Sequence, residues 1–148
     1  MEIAKWMKHP VHHVKPLDSI QHARNVMEEQ RVNQLPVVVN GKLVGIVTDR
    51  DLRDAFPSVF DDEPGRHRAS DPSAIKVEAV MTPNVLTLGP RDTVQMAANI
   101  MRRERIGAIP IVDGPRLVGI LARSDVLDAF VDLAGAAELE AGPKHRPG

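Results

Sequence analysis

Leu43-Val44-Gly45-Ile46-Val47-Thr48-Asp49-Arg50-Asp51 and Leu117-Val118-Gly119-Ile120-Leu121-Ala122-Arg123-Ser124-Asp125 are two versions of one phrase, set 74 residues apart. The same offset carries Val11 onto Val85, Pro16 onto Pro90, Asp18 onto Asp92, Ala23 onto Ala97, Met27 onto Met101 and Pro36 onto Pro110 without a gap. Met7 to Phe56 is thus repeated as Met81 to Phe130. A duplication of this size implies two copies of one supersecondary unit that bury their apolar faces together. Function is expected to lie between the copies.

The chain has 148 residues, enough for one core built from two half-domains. Its 19 Lys plus Arg balance 20 Asp plus Glu, which leaves no electrostatic footprint for a nucleic-acid backbone. There is no Cys, so disulfides and thiol chemistry are excluded. Met1 to Met7 carries Glu2, Lys5 and Trp6 where a signal peptide would be apolar, and no apolar run approaches membrane-spanning length. A soluble, cytoplasmic protein is expected.

Within each copy the pattern predicts strand, helix, strand, strand, helix. Val11 and Val14 alternate with polar residues before Pro16; Ser19 then opens a helix with Ile20, Ala23 and Met27 at helical spacing. The second copy offers Val85, then Thr93 ahead of Val94, Ala97, Ala98 and Met101. Leu35 to Val39 and Leu43 to Thr48 flank Asn40-Gly41, a hairpin signal because both turn positions tolerate positive φ. Ala108 to Val112, a turn through Asp113, Gly114 and Pro115, and Leu117 to Leu121 form its counterpart. Closing helices are expected with apolar faces of Leu52, Ala55 and Phe56, and of Val126, Ala129, Phe130 and Leu133. Ile3, Trp6 and Met7, matched by Val77, Val80 and Met81, suggest a short helical lead-in to each copy. The implied organisation is repeat 1 over 1–56, a polar linker over 57–74, repeat 2 over 75–133 and a tail over 134–148, partly disordered, with the last helix extending through Leu139.

The junction from Gly45 to Asp51 carries the chemistry. A glycine permits close approach to the backbone, and a hydroxyl and a carboxylate three residues apart at a helix start project from one end of the element. These parts suit a nucleotide: amides and hydroxyl for phosphate, carboxylate for two ribose hydroxyls. The same spacing also approximates a capping box, which needs no ligand. Repeat 2 keeps the glycine and Asp125 but replaces Thr48 by Ala122, which cannot cap through its side chain; a carboxylate kept in both copies favours a shared binding role.

Taken with the tandem arrangement, the Leu35-Pro36-Val37 and Ile109-Pro110-Ile111 strands and the Met81-Thr82-Pro83 lead-in, this pattern resembles the cystathionine β-synthase (CBS) domain pair, or Bateman module, over roughly Ile3 to Leu133. The resemblance implies an α/β (α+β) fold of two β-α-β-β-α units related by a pseudo-twofold axis, with two clefts that commonly bind AMP, ADP, ATP or S-adenosylmethionine. It also implies a homodimer formed through helices, parallel or antiparallel. One site would use Asp51 for ribose, Thr48 for phosphate or ribose, Arg50 for phosphate, and Val85, Leu86, Ile109 and Pro110 around the base. A second, weaker for want of a hydroxyl at Ala122, would use Arg123 and Asp125 with Val11, His12, His13, Leu35 and Pro36. Losing one neutral hydroxyl bond costs roughly tenfold in affinity.

Other constellations are weaker. His9, His12, His13 and His22 cluster in sequence, but adjacent strand residues face opposite ways, so no metal site is expected. Arg102, Arg103, Glu104 and Arg105 read as a solvated helix face. No nucleophile motif and no Gly-Lys-Ser phosphate loop occurs, and no enzyme activity is expected. The expected function is a regulatory module sensing an adenosyl ligand, with no cofactor requirement; the alternative is a ligand-free dimerisation or scaffold module.

Overall fold

Ser19 and Thr93 start the two principal helices. Ser19 Oγ accepts the His22 N–H at 3.1 Å ahead of α1 (Ile20–Gln30), and Thr93 Oγ1 accepts the Met96 N–H at 3.1 Å ahead of α3 (Val94–Glu104). Each helix buries one stripe, Ile20, Ala23 and Met27 in α1 and Val94, Ala97 and Met101 in α3, and each ends on an arginine in the left-handed region, Arg31 or Arg105. The computed structural model describes residues 1–56 and 71–140; most of the expected 57–74 linker and the end of the tail lie outside them.

Between α1 and the next helix lies the expected hairpin. β1 (Gln34–Val39) pairs antiparallel with β2 (Lys42–Thr48), in register from Gln34↔Thr48 to Val39↔Lys42 with a bulge after Val37. Asn40 and Gly41 turn it at φ 51° and 82°. α2 (Asp49–Ala55) follows directly. After α3, β3 (Ala108–Asp113) neighbours β4 (Arg116–Ala122), which runs into α4 (Arg123–Glu140). Among the described residues no helix is long and apolar enough to cross a membrane.

Two expectations are corrected here. The first strand of each copy shrinks to one parallel bridge, Val14↔Val37 and Leu88↔Ile111. Prolines explain this. Val14 N–H donates to Pro36 O at 3.0 Å and Val38 N–H to Val14 O at 2.9 Å, but Pro36 has no N–H to extend the ladder backwards. Forwards, Lys15 N–H turns to Asp18 Oδ2 at 2.8 Å, and Pro16 has none to give. Pro110, Gly89 and Pro90 repeat the arrangement around Leu88, with Gly89 N–H on Asp92 Oδ2 at 2.7 Å. The second correction concerns the apolar face of α4, a helix that runs to Glu140 in keeping with the extension through Leu139 read from the sequence. Ala129 is buried, but Phe130 and Leu133, expected on the apolar face, are 62% and 51% exposed.

The compact units do not follow the sequence repeats. One unit comprises Val11–Leu86 with Gly114–Leu117; the other comprises Met1–Pro10, Thr87–Asp113 and the chain from Val118 onward. Each lead-in has left its own repeat. In the first unit Val77 N–H donates to Asp18 O at 2.8 Å and Glu78 N–H to Pro16 O at 3.0 Å. In the second, Ile3 N–H donates to Asp92 O and Ala4 N–H to Pro90 O, both at 2.9 Å. Short 3-10 turns, Val77–Ala79 and Ile3–Lys5, place Val77 and Ile3 wholly inside the respective cores. The first core gathers Ile20, Leu35, Val37 and Val47 around Val77; the second gathers Val94, Ile109, Ile111 and Leu121 around Ile3.

Ile3 is wholly buried in the second core, although only a short 3-10 turn carries it. Ile3→Ala is expected to destabilise by about 2 to 5 kcal/mol, the range for a fully buried aliphatic. Urea unfolding checks it; a loss below about 0.5 kcal/mol would mean that the lead-in is not part of the core.

Candidate functional site: the two strand-to-helix junctions

β2 and β4 each pass a glycine before delivering a carboxylate to the first turn of a helix. What approaches those glycines is the chain itself. A Cβ on Gly45 would lie 2.7 Å from Met81 Sδ and 3.0 Å from Thr82 O, and one on Gly119 would strike the Met7 side chain and come within 3.2 Å of Lys8 O. The lead-ins are hydrogen-bonded there in both directions: Ile46 N–H to Thr82 O at 2.9 Å and Thr82 N–H to Ile46 O at 2.8 Å, with Ile120 and Lys8 paired likewise at 3.0 and 2.9 Å. The glycines therefore have a packing role that needs no ligand.

Thr48 and Asp51 are brought together as a complete capping box. Thr48 N–H donates to Asp51 Oδ2 at 2.9 Å, and Asp51 N–H donates to Thr48 Oγ1 at 3.1 Å. This bond consumes the Asp51 amide, which is therefore not among the junction amides open to a phosphate. Two groups remain available. Among the described residues no donor reaches Asp51 Oδ1, and the Thr48 hydroxyl, which accepts from Asp51, retains a proton to donate. Asp51 and Thr48 are half-buried, whereas Arg50 is exposed beside them.

Repeat 2 is built differently. Ala122 N–H donates to Asp125 Oδ2 at 2.7 Å, so half of the box survives without the threonine. Asp125 Oδ1 is taken by Lys8 Nζ. With both oxygens engaged, Asp125 is only 4% exposed, while the Lys8 side chain is 60% exposed. Lys8 was absent from the sequence-derived site. The signal was present, since Lys8 aligns with Thr82 under the 74-residue offset and is the charged member of that pair.

The remaining candidates divide between the units. Val85 and Leu86 belong to the first unit with Thr48, Arg50 and Asp51, half-buried and exposed respectively. Val11 is half-buried and His12 and His13 are exposed, with His13 Nδ1 3.0 Å from Val11 O. Leu35 and Pro36 are sunk in the first core, and Ile109 and Pro110 in the second, so their side chains are spent on packing. Arg123, expected beside Asp125, lies elsewhere. Its N–H donates to Gly107 O at 3.0 Å, its guanidinium runs along Gly107, and it lines a cavity of about 400 Å³ with Met101, Arg102, Arg105, Val126 and Leu127. A cavity of about 550 Å³ in the first unit is lined by Arg24, Met27, Asp49, Leu52 and Phe56, with the Arg24 guanidinium 4.9 Å from the Phe56 ring centre. Asp49 is the positional counterpart of Arg123, which is why both face helix-lined cavities.

Residues 2–58 and 77–132 each match the CBS domain. The chain belongs to the CBS domain family. The CBS domain-containing protein DDB_G0289609 of Dictyostelium discoideum is 40% identical over 102 residues, covering 68% of this chain and 70% of its own. Inosine-5'-monophosphate dehydrogenase of Korarchaeum cryptofilum is 38% identical over 114 residues, but the likeness spans only 21% of that enzyme. Among solved structures, CBSX2 of Arabidopsis thaliana in complex with AMP is 28% identical with a TM-score of 0.76, covering 90% of this chain and 98% of that one. The CBS domain pair of MJ0100 in complex with 5'-methylthioadenosine and S-adenosyl-L-methionine is 27% identical with a TM-score of 0.72, over the same shares. This CBS pair is thus of mixed α/β fold and resembles pairs that hold adenosyl compounds.

The two caps of the CBS pair predict opposite responses to one side chain. Thr48→Ala removes the hydroxyl acceptor and should cost about 0.5 to 2 kcal/mol. Ala122→Thr supplies the missing half of the second box and should stabilise by roughly 0.5 to 1 kcal/mol. Both are read from urea unfolding midpoints. Destabilisation by Ala122→Thr would show that the second junction is shaped against a threonine.

Proposed function

We propose that this CBS pair is a regulatory module that binds an adenosyl ligand, either an adenine nucleotide (AMP, ADP or ATP) or S-adenosylmethionine. The observation that carries the proposal is the Asp51 carboxylate, held by its own cap with one oxygen unclaimed among the described residues. A fixed carboxylate is suited to accept from the two hydroxyls of a ribose, the group common to all of these ligands. Thr48 Oγ1 contributes a donor for a ribose or phosphate oxygen, and the exposed Arg50 a fork of donors for phosphate. Val85 and Leu86 supply apolar surface from the same unit. The AMP complex of CBSX2 and the S-adenosylmethionine complex of MJ0100 support the ligand class.

Ligand acts by population shift, stabilising whichever arrangement of the chain it binds better. The output is directed to another protein or to the chain's own assembly, and the ligand leaves chemically unchanged. No cofactor is needed. The module is a cytoplasmic homodimer in this proposal. Leu127, Phe130 and Val131 follow helical spacing on α4 and are 62%, 62% and 67% exposed, an apolar stripe suited to a second copy. Ligand-free scaffolding is the competing reading, favoured by the occupied Asp125 and by this stripe.

Calorimetric titration with AMP, ADP, ATP and S-adenosylmethionine separates these readings. Asp51→Asn is the informative variant, because its side-chain oxygen keeps the cap while the charge is lost. At least one ligand is expected to bind saturably to the wild type, at least tenfold more weakly to Asp51→Asn, and to stabilise the native state by about 2.7 kcal/mol at a hundredfold excess over Kd. Silence toward all four at millimolar concentration leaves the scaffold. For assembly, sedimentation should show a dimer that Phe130→Glu converts to monomer; a wild-type monomer refutes that part.

A further inference from the structure

We infer that Lys8 occupies the place of a ligand at Asp125, so that the chain binds adenosyl ligand at Asp51 alone. The inference rests on the proposed ribose-binding role of Asp51 and adds the residue that sets how many ligands bind.

The two junctions are built on the same backbone plan. Lys8 and Thr82 are equivalent under the repeat offset, and each exchanges two backbone hydrogen bonds with its strand, Lys8 with Ile120 and Thr82 with Ile46. Their side chains part company from that shared position. Lysine is long enough to reach the helix start, where Nζ sits on Asp125 Oδ1. Threonine is short and uncharged, and no donor from the described residues reaches Asp51 Oδ1. A carboxylate has two oxygens. At Asp125 one is held by the Ala122 amide and the other by an internal ammonium, and the group is 4% exposed. At Asp51 the described residues make only the cap bond, and the group is half-buried.

A neutral diol reaching Asp125 must therefore expel a cation from an almost fully buried anion. The Lys8 side chain is 60% exposed, so its loss to solvent is cheap for the lysine; the obstacle is the carboxylate, which exchanges a full counter-charge for two neutral hydroxyls. Hydrogen bonds to a charged partner translate into roughly 10- to 100-fold in affinity. That is larger than the roughly tenfold attributable to the missing hydroxyl at Ala122. Lys8, more than Ala122, closes the second site.

The test is binding stoichiometry by equilibrium dialysis, with AMP and with S-adenosylmethionine as probes, on the wild type, Lys8→Thr, Asp51→Asn and the double variant. Expected are one ligand per chain for the wild type, none for Asp51→Asn, two for Lys8→Thr and one for Lys8→Thr with Asp51→Asn. Lys8→Met, which keeps the aliphatic stem, replaces Lys8→Thr if the latter fails to fold by circular dichroism. Two ligands on the wild type, or one on a folded Lys8 variant, overturns the inference and leaves the Asp51 proposal standing. No binding to any of the four proteins overturns the Asp51 proposal and the inference with it.

Discussion

The structure depends on an exchange of lead-ins. The backbone pairs Lys8–Ile120 and Thr82–Ile46 fasten each short N-terminal segment beside the last strand of a unit whose helix and hairpin come from the other repeat. Three features follow from this. A Cβ on Gly45 or Gly119 would crowd the backbone carbonyls of Thr82 and Lys8 as well as the Met81 and Met7 side chains. Ile3 and Val77 become core residues although the 3-10 turns that carry them could not persist alone. Residue 8 or 82 is held within reach of a strand-to-helix junction, which makes one side chain in the lead-in decisive for the acid beyond it.

At that junction one carboxylate has two uses. Asp51 caps α2 with Oδ2 and leaves Oδ1 without a described donor, so a structural role and a binding role coexist on one side chain. This changes how substitutions must be interpreted. Removing the carboxylate removes the cap as well, and a seven-residue helix has little reserve to absorb the loss. Only a replacement that preserves the acceptor separates recognition from stability. The spacing of Thr48 and Asp51 does not separate the two roles because both draw on the same geometry, a short polar side chain and an acid three residues later.

Much of the fold could be read locally. Ser19 and Thr93 announce helices through caps that act within four residues, and Asn40-Gly41 announces a hairpin through its own φ angles. What escaped local pattern depended on distant partners. Val11 to Val14 alternates like a strand, but its ladder ends where Pro36 lacks an N–H, a fact about another element. The lead-ins pack on the wrong repeat, and a repeat offset carries no information about exchange. Phe130 and Leu133 continue the helical period of α4 yet remain exposed, because period records what a helix offers and not how far its neighbours reach. For the site, the junction acids were legible as a pair. Their inequality was legible in direction, from the hydroxyl lost at Ala122, but not in its larger source, the ammonium gained at position 8, which acts through a residue far away in the chain.

That inequality bears on how a duplicated module acquires a single response. Two identical sites would report ligand twice and in the same sense. Replacing a neutral residue by lysine at one lead-in leaves the backbone pairing untouched, because Lys8 and Thr82 make the same two main-chain bonds. The change therefore need not disturb the fold that carries it. It pairs Asp125 internally, so the buried acid is not left without a counter-charge when ligand is absent, whereas among the described residues Asp51 keeps an oxygen uncommitted. An unfilled acceptor is sustainable only where solvent can reach it, and half-burial at Asp51 against near-complete burial at Asp125 follows that rule. The exposure of each acid is thus matched to what satisfies it, water or ligand in one copy and the chain's own lysine in the other.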